Sequence, residues 1–222
     1  RNLDNWKIDE IIINCIDRTK KKIGPHFELL NKISKKGIST PICYSGAVRN
    51  VQDARDVIML GAERICIDNL LNKDNKTLQK ISEKIGRQAL IGVSPITLKK
   101  DLLYRYDYLS KELINFDNWY KSNYVNDLVS EMLIVDYKNE GKKNSFNIKL
   151  LNHLKNINEK LLLFGGISSS KIIEKLFSYK MVSGVCIGNF LSHYEHTNKY
   201  YSDRMTGNVH RRPFFFREKY FL

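Results

Sequence analysis

Few alanines and few prolines occur in this chain, and no long apolar run. Alanine occurs at 47, 54, 62 and 89, while Lys, Asn and Ile recur throughout, so the lysines read as a general compositional bias and not as one basic patch. No apolar stretch approaches the roughly 20 residues that span a bilayer, and Arg1–Trp6 lacks the hydrophobic core of a secretion signal, which points to a soluble chain outside the membrane. The 4 cysteines, Cys15, Cys43, Cys66 and Cys186, lie singly inside apolar runs with no Cys-x-x-Cys pair, which excludes a disulfide framework and suits a reducing, cytoplasmic compartment. The five histidines, including His193 and His196, show no metal-ligand spacing with carboxylates or thiols, so no metal and no cofactor is expected.

What is present is enough for a core. The 222 residues are 42% hydrophobic and 27% charged, which excludes a disordered chain. The net charge of +13 would suit a phosphate backbone, but the scatter of the lysines along helix faces argues against nucleic acid. The basic-aromatic tail from His210 to Leu222 reads as an edge segment packed on the body.

Short apolar runs alternate with segments of helical period. Strands are expected at Glu10–Ile16, Pro41–Ser45, Arg64–Ile67, Ala89–Ser94, Met132–Asp136, Leu161–Phe164 and Val182–Ile187. Between them Asn50 is placed to cap a helix carrying Ala54, Val57 and Ile58 on one stripe, and Leu78, Ile81 and Ile85 repeat the pattern up to Gly86. Tyr104, Tyr106 and Tyr108 alternate inside 99–119, which reads as a β-hairpin after the fourth of these strands. Repeated βα units form either a doubly wound sheet or a barrel, and periodicity does not separate the two. In both folds the carboxyl ends of the strands form the active face, and there stand Tyr44-Ser45-Gly46-Ala47, Asp68-Asn69, Phe164-Gly165-Gly166 and Ile187-Gly188-Asn189.

At these strand ends the chain resembles HisF, the cyclase subunit of imidazole glycerol phosphate synthase, and its WbuZ relatives associated with glycosyl amidation in surface-polysaccharide gene clusters. The resemblance is carried by Ser39-Thr-Pro-Ile-Cys-Tyr-Ser-Gly-Ala-Val-Arg-Asn50, by Asp53-Ala-Arg, and by Leu60-Gly-Ala-Glu-Arg-Ile-Cys-Ile-Asp-Asn69. Ile8-Asp-Glu-Ile-Ile-Ile, Ile16-Asp-Arg-Thr and Pro25-His-Phe-Glu-Leu-Leu are similar to the polysaccharide branch. Leu163-Phe-Gly-Gly-Ile and Cys186-Ile-Gly-Asn-Phe resemble the last two strand ends. The resemblance implies a single (β/α)8 barrel over 1–222, with a tail at 198–222 and with the family's first βα unit upstream of Arg1.

It also implies a partner, a HisH-like glutaminase that releases ammonia into one end of the barrel, and a phosphorylated or nucleotide-linked small molecule at the other. Glu10, Arg64 and Glu131 stand where the family has a charged ring at the glutaminase end. Glu10, Ile12 and Asn14 share one strand face, as do Arg64 and Cys66, so the three charges are expected to form an ion-pair ring gating ammonia. Gly46, Asp68 and Asn69 correspond to one phosphate site, and Gly165, Gly166, Gly188 and Asn189 to the other. A carboxylate at Asp68 repels a phosphate unless it accepts a hydroxyl hydrogen bond instead. The family's aspartate ending the fifth barrel strand is replaced near Ser94 and Pro95, and in the next loop Lys138 and Glu140 stand for two aspartates. Neither Ser94 nor Pro95 exchanges a proton near neutrality. The expected function is therefore an ammonia-accepting, HisF-like synthase subunit in sugar amidation. The alternatives are the histidine-biosynthesis cyclase and a non-catalytic barrel scaffold.

Overall fold

The computed structural model describes residues 8–123 and 125–188, together with the backbone of 209–211. β1 (Ile11–Asn14) leads to α1 (Ile16–Lys21) and α2 (Phe27–Ser34), then β2 (Ile42–Ser45), α3 (Val51–Met59) and β3 (Arg64–Ile67). α4 (Asn69–Lys73) and α5 (Asn75–Ile85) precede β4 (Leu90–Lys99), β5 (Leu102–Asp107) and β6 (Glu112–Asn115). α6 (Phe116–Ser122), α7 (Val125–Leu128), β7 (Glu131–Asp136), α8 (Leu150–His153), β8 (Lys160–Phe164), α9 (Ser170–Phe177), β9 (Val182–Cys186) and β10 (Val209–Arg211) complete the order.

Local chemistry sets the boundaries. Asn50 caps α3, its Oδ1 accepting from the Asp53 amide at 2.8 Å, and Asp74 caps α5 through the Thr77 amide at 3.0 Å. α5 stops at Gly86, whose φ of +88° is open to glycine and costly to other residues. α3 turns Ala54 and Val57 inward, as the stripe requires, and α5 turns Leu78 and Ile81 inward.

The strands β1, β2, β3, β4, β7, β8 and β9 pair in parallel in that order, each with its neighbour, and helices alternate with them. The sheet is curled as in a (β/α)8 barrel, the fold class expected from the sequence. Strand alternation separates two apolar layers. Ile13, Tyr44, Ile65, Ile67, Leu90, Met132, Ile134, Leu161, Leu163 and Val185 belong to the layer under the helices, while Ile12, Cys43, Cys66, Ile91, Leu133, Leu162 and Cys186 fill the concave side. Burying each such Leu or Ile contributes about 1.5–3 kcal/mol, which both layers supply many times over.

Two differences from the sequence expectation concern β4. It does not end at Ser94 but runs on to Lys99, and the hairpin expected within 99–119, formed by β5 and β6, is extended by the end of β4 into an antiparallel meander. Pro95 is tolerated inside β4 because that edge carries no partner between Gly92, the last residue paired with β3, and Ile96, the first paired with β5. Tyr104 and Tyr106 lie in β5, whereas Tyr108 follows it. The backbone of Val209–Arg211 adds antiparallel to β9; the remainder of the basic-aromatic tail, and His193 and His196, lie outside the described residues. Among the described residues no helix is long and apolar enough to cross a membrane.

Candidate active site

The two ends of the concave surface carry different chemistry. At the amino ends of the strands Arg64, from β3, reaches Glu131 of β7 at 2.6 Å and Glu10, just before β1, at 3.6 Å. Ser183 of β9 donates to Glu131 at 2.7 Å, and Arg64 donates to the Ser130 hydroxyl at 3.2 Å. The three charges singled out in the sequence thus meet, and with Glu10 almost fully buried they are an ion-paired cluster and not a solvated rim.

Above the cluster the lumen is apolar. Among the described residues Ile12, Cys43, Cys66, Ile91, Leu133, Leu162 and Cys186 form one apolar cluster there. Cys43 and Cys66 bring their sulfurs to 3.3 Å, and burial pushes the Cys43 thiol well above its usual range. At about 3.3 Å per residue, Arg64 and Asp68 are roughly 13 Å apart along the strand, which is the depth of this layer.

The carboxyl ends of the strands enclose a cavity of about 570 Å³, lined by Asn14, Ser45, Asp68, Pro95, Tyr106, Tyr108, Tyr137, Glu140 and Gly188 above a floor of Val93, Leu133, Val135 and Phe164. Tyr106 and Tyr137 stack at 4.7 Å between centroids. Asp68 is fixed from behind by Arg105 of β5, which is 1% exposed, donates to Asp68 Oδ1 and lies over the Trp119 ring at 4.8 Å. Burial pushes the Asp68 carboxyl up to about 6 despite the opposing pull of Arg105, with Asp107 adding to the rise. Burial also raises Glu140, and it lifts the Tyr108 hydroxyl to about 12. Asp107 goes the other way: burial acts to raise it, but the amides of Leu109 and Ser110, with Lys73 and Arg105, outweigh that and hold it low.

Beside the cavity is a smaller hollow of about 90 Å³, formed by Gly165, Gly166, Ser168, Gly188, Lys142 and Lys143. Its shape depends on the glycines. A Cβ on Gly165, at φ +104°, would stand 2.6 Å from the Asp136 carbonyl oxygen, and one on Gly166, at φ +74°, would meet Ser145 Oγ at 2.4 Å. The loop after β7 is pinned there by Asp136, which accepts from the Asn147 amide at 2.9 Å, and by Ser145 donating its amide to the Gly166 carbonyl at 2.9 Å.

The structure therefore brings together Gly165, Gly166 and Gly188 at the hollow and puts Asp68 on the cavity wall. Gly46 and Asn69 do not line the cavity: Ser45 stands there instead, Gly46 packs against Cys15 and Tyr44, and Asn69 opens α4. Asn189 lies outside the described residues. Pro95 lines the cavity while Ser94, completely buried, does not. Sequence reasoning missed Arg105, Lys142 and Lys143. The signal for Arg105 was the β5 alternation, in which Leu103, Arg105 and Asp107 share the buried face.

Fold and site define the class first: a curled parallel βα sheet of the barrel type, with its ligand-sized cavity at the carboxyl ends of the strands. Residues 1–198 match the family described as histidine biosynthesis protein, and the chain belongs to that family. It is 24% identical over 202 residues, 88% of this chain and 79% of the relative, to a protein of Pseudomonas aeruginosa provisionally named imidazole glycerol phosphate synthase subunit hisF2. It is 25% identical over 186 residues, 80% of this chain and 72% of the relative, to the synthase subunit HisF of Buchnera aphidicola subsp. Acyrthosiphon pisum. The HisF subunit of Staphylococcus epidermidis is 24% identical over 204 residues, 89% of this chain and 79% of the relative.

Proposed function

We propose that the chain is a HisF-like synthase subunit that accepts ammonia from a glutamine amidotransferase partner of the HisH type and directs it to the amidation of a sugar, as in the WbuZ branch. The observation that carries this reading is the polarity of the lumen: a buried ion cluster of Glu10, Arg64 and Glu131 at one end, an apolar layer, and a carboxyl-bearing cavity at the other. Such a layer excludes ammonium and admits neutral ammonia, because an unpaired ion in an apolar interior costs far more than a small neutral molecule. Passage requires Ile12, Cys43, Cys66 and Leu133 to part by the width of one such molecule, and the ion cluster is the gate that a docked glutaminase opens.

In the cavity Asp68, raised to about 6, supplies a carboxyl suited to proton exchange with an arriving nitrogen near neutrality, and Glu140, raised by burial, lines the same cavity. The small hollow offers backbone and lysine groups to a phosphate. Sugar amidation is favoured over histidine-type cyclisation because Pro95 occupies the cavity wall where the family's fifth-strand aspartate would stand. The same proline favours the second reading, a barrel that binds without catalysis. Co-expression with HisH-type glutaminases followed by native mass spectrometry tests the assignment. A stoichiometric complex that is lost in Glu131→Lys is expected; the absence of any complex across such partners overturns it.

A further inference from the structure

The charge of the cavity wall narrows the substrate. In a chain with 37 basic and 24 acidic residues, the charged residues that line the main cavity among the described residues are Asp68 and Glu140, both acids, with no lysine or arginine beside them. The nearest buried cation, Arg105, stands behind Asp68: it is 1% exposed, engaged with Asp68 Oδ1 and covered by Trp119. A group entering from the cavity meets the carboxyl, not the guanidinium. Arg105 favours the charged form of Asp68 from behind and presents no cation to the cavity, and Asp107 adds negative charge nearby. Basic side chains are instead found at the adjacent hollow, where Lys142 and Lys143 accompany the glycine backbone.

We infer that the substrate of this mouth carries a single phosphate, seated at the Lys142–Lys143 hollow, and presents hydroxyl or amine hydrogen-bond donors, not a second phosphate, to Asp68 and Glu140. The inference rests on the proposed reading of the mouth as the substrate site and deepens it. A carboxylate accepts and does not donate, so it pairs with the hydroxyls of a sugar or with an ammonium group and repels a phosphate dianion. The Tyr106–Tyr137 stack gives the same wall an aromatic face, suited to the C–H side of a sugar ring.

Calorimetric titration with two sugars that differ by one phosphate, fructose 6-phosphate and fructose 1,6-bisphosphate, tests the inference. The wild-type chain is expected to bind the monophosphate at least about tenfold more tightly, since a like-charge juxtaposition opposes the second phosphate. Asp68→Asn is expected to bring the two affinities within about threefold, and Glu140→Gln, at a more exposed position that does not leave Arg105 without a partner, is expected to shift the ratio the same way. Lys142→Ala with Lys143→Ala is expected to weaken both sugars. Equal or tighter binding of the bisphosphate by the wild type, or a ratio unchanged in both carboxyl variants, overturns the inference. Failure of the monophosphate to bind also overturns it, while the glutaminase complex, measured separately, tells whether the underlying reading survives.

Discussion

Asp68 shows how much of the chemistry resides in single side chains. Its carboxyl is raised from 3.8 to about 6 chiefly by burial, so the folded state holds the proton more tightly than the unfolded chain. A raised carboxyl favours folding fully below pH 3.8 and loses that contribution as the pH climbs through about 6. The wild type is therefore expected to lose stability relative to Asp68→Asn as the pH rises from 4 to 7, by up to about 3 kcal/mol across that range in paired urea titrations, on top of a pH-independent cost to the variant of leaving Arg105 without its carboxylate. Carbon-13 NMR of the Asp68 carboxyl is expected to show a midpoint near pH 6 that moves upward in Arg105→Met, because Arg105 favours the charged form. At the same scale, Cys43 and Cys66 are nearly inaccessible and the Cys43 thiol is raised. Iodoacetamide at pH 8 is expected to leave both unmodified in the native protein and to label both in urea, read by peptide mass spectrometry. Asp68 was legible in the sequence because it ends a strand. Arg105 was not, since the β5 alternation groups it with Leu103 and Asp107 without saying which face is buried, and the cation that fixes Asp68 comes from a strand 37 residues further on.

At the scale of elements, the parallel strands were legible because each is a short apolar run whose alternate residues serve two different layers. Cys43 and Cys66 face the lumen, whereas their neighbours Tyr44 and Ile65 face the helices. The end of β4 was not legible, because Pro95 reads locally as a stop and is admitted by a gap in the ladder that no local pattern reveals. The glycine turn after β8 is an element in its own right. Gly165→Ala is expected to cost about 1–3 kcal/mol in chemical denaturation and to weaken phosphate binding, because its Cβ meets a backbone carbonyl that has little room to shift. The ion cluster ties β3 and β7 to the residue before β1, so Arg64→Met strips the guanidinium from one buried and one partly buried carboxylate. A loss of about 3 kcal/mol is expected, as measured by urea unfolding at pH 7.

For the whole molecule, the residues identified in the sequence as a charged ring and as phosphate-binding glycines lie at opposite ends of one curled sheet, with an apolar layer between them. The parallel βα order produces that separation, because strand starts gather at one end and strand ends at the other. Membership of the histidine biosynthesis family agrees with the curled βα sheet, while Pro95 and Asp68 on the cavity wall carry the proposal of a mouth that takes one phosphate. The most direct measurement is glutamine hydrolysis by a HisH-type glutaminase with and without this chain, in wild type and in Arg64→Ala. Hydrolysis stimulated at least about tenfold by the wild type, and returned toward the basal rate by Arg64→Ala while the complex persists, is the expected result. A glutaminase whose rate is unchanged by a stoichiometric amount of the chain would contradict ammonia delivery through this barrel.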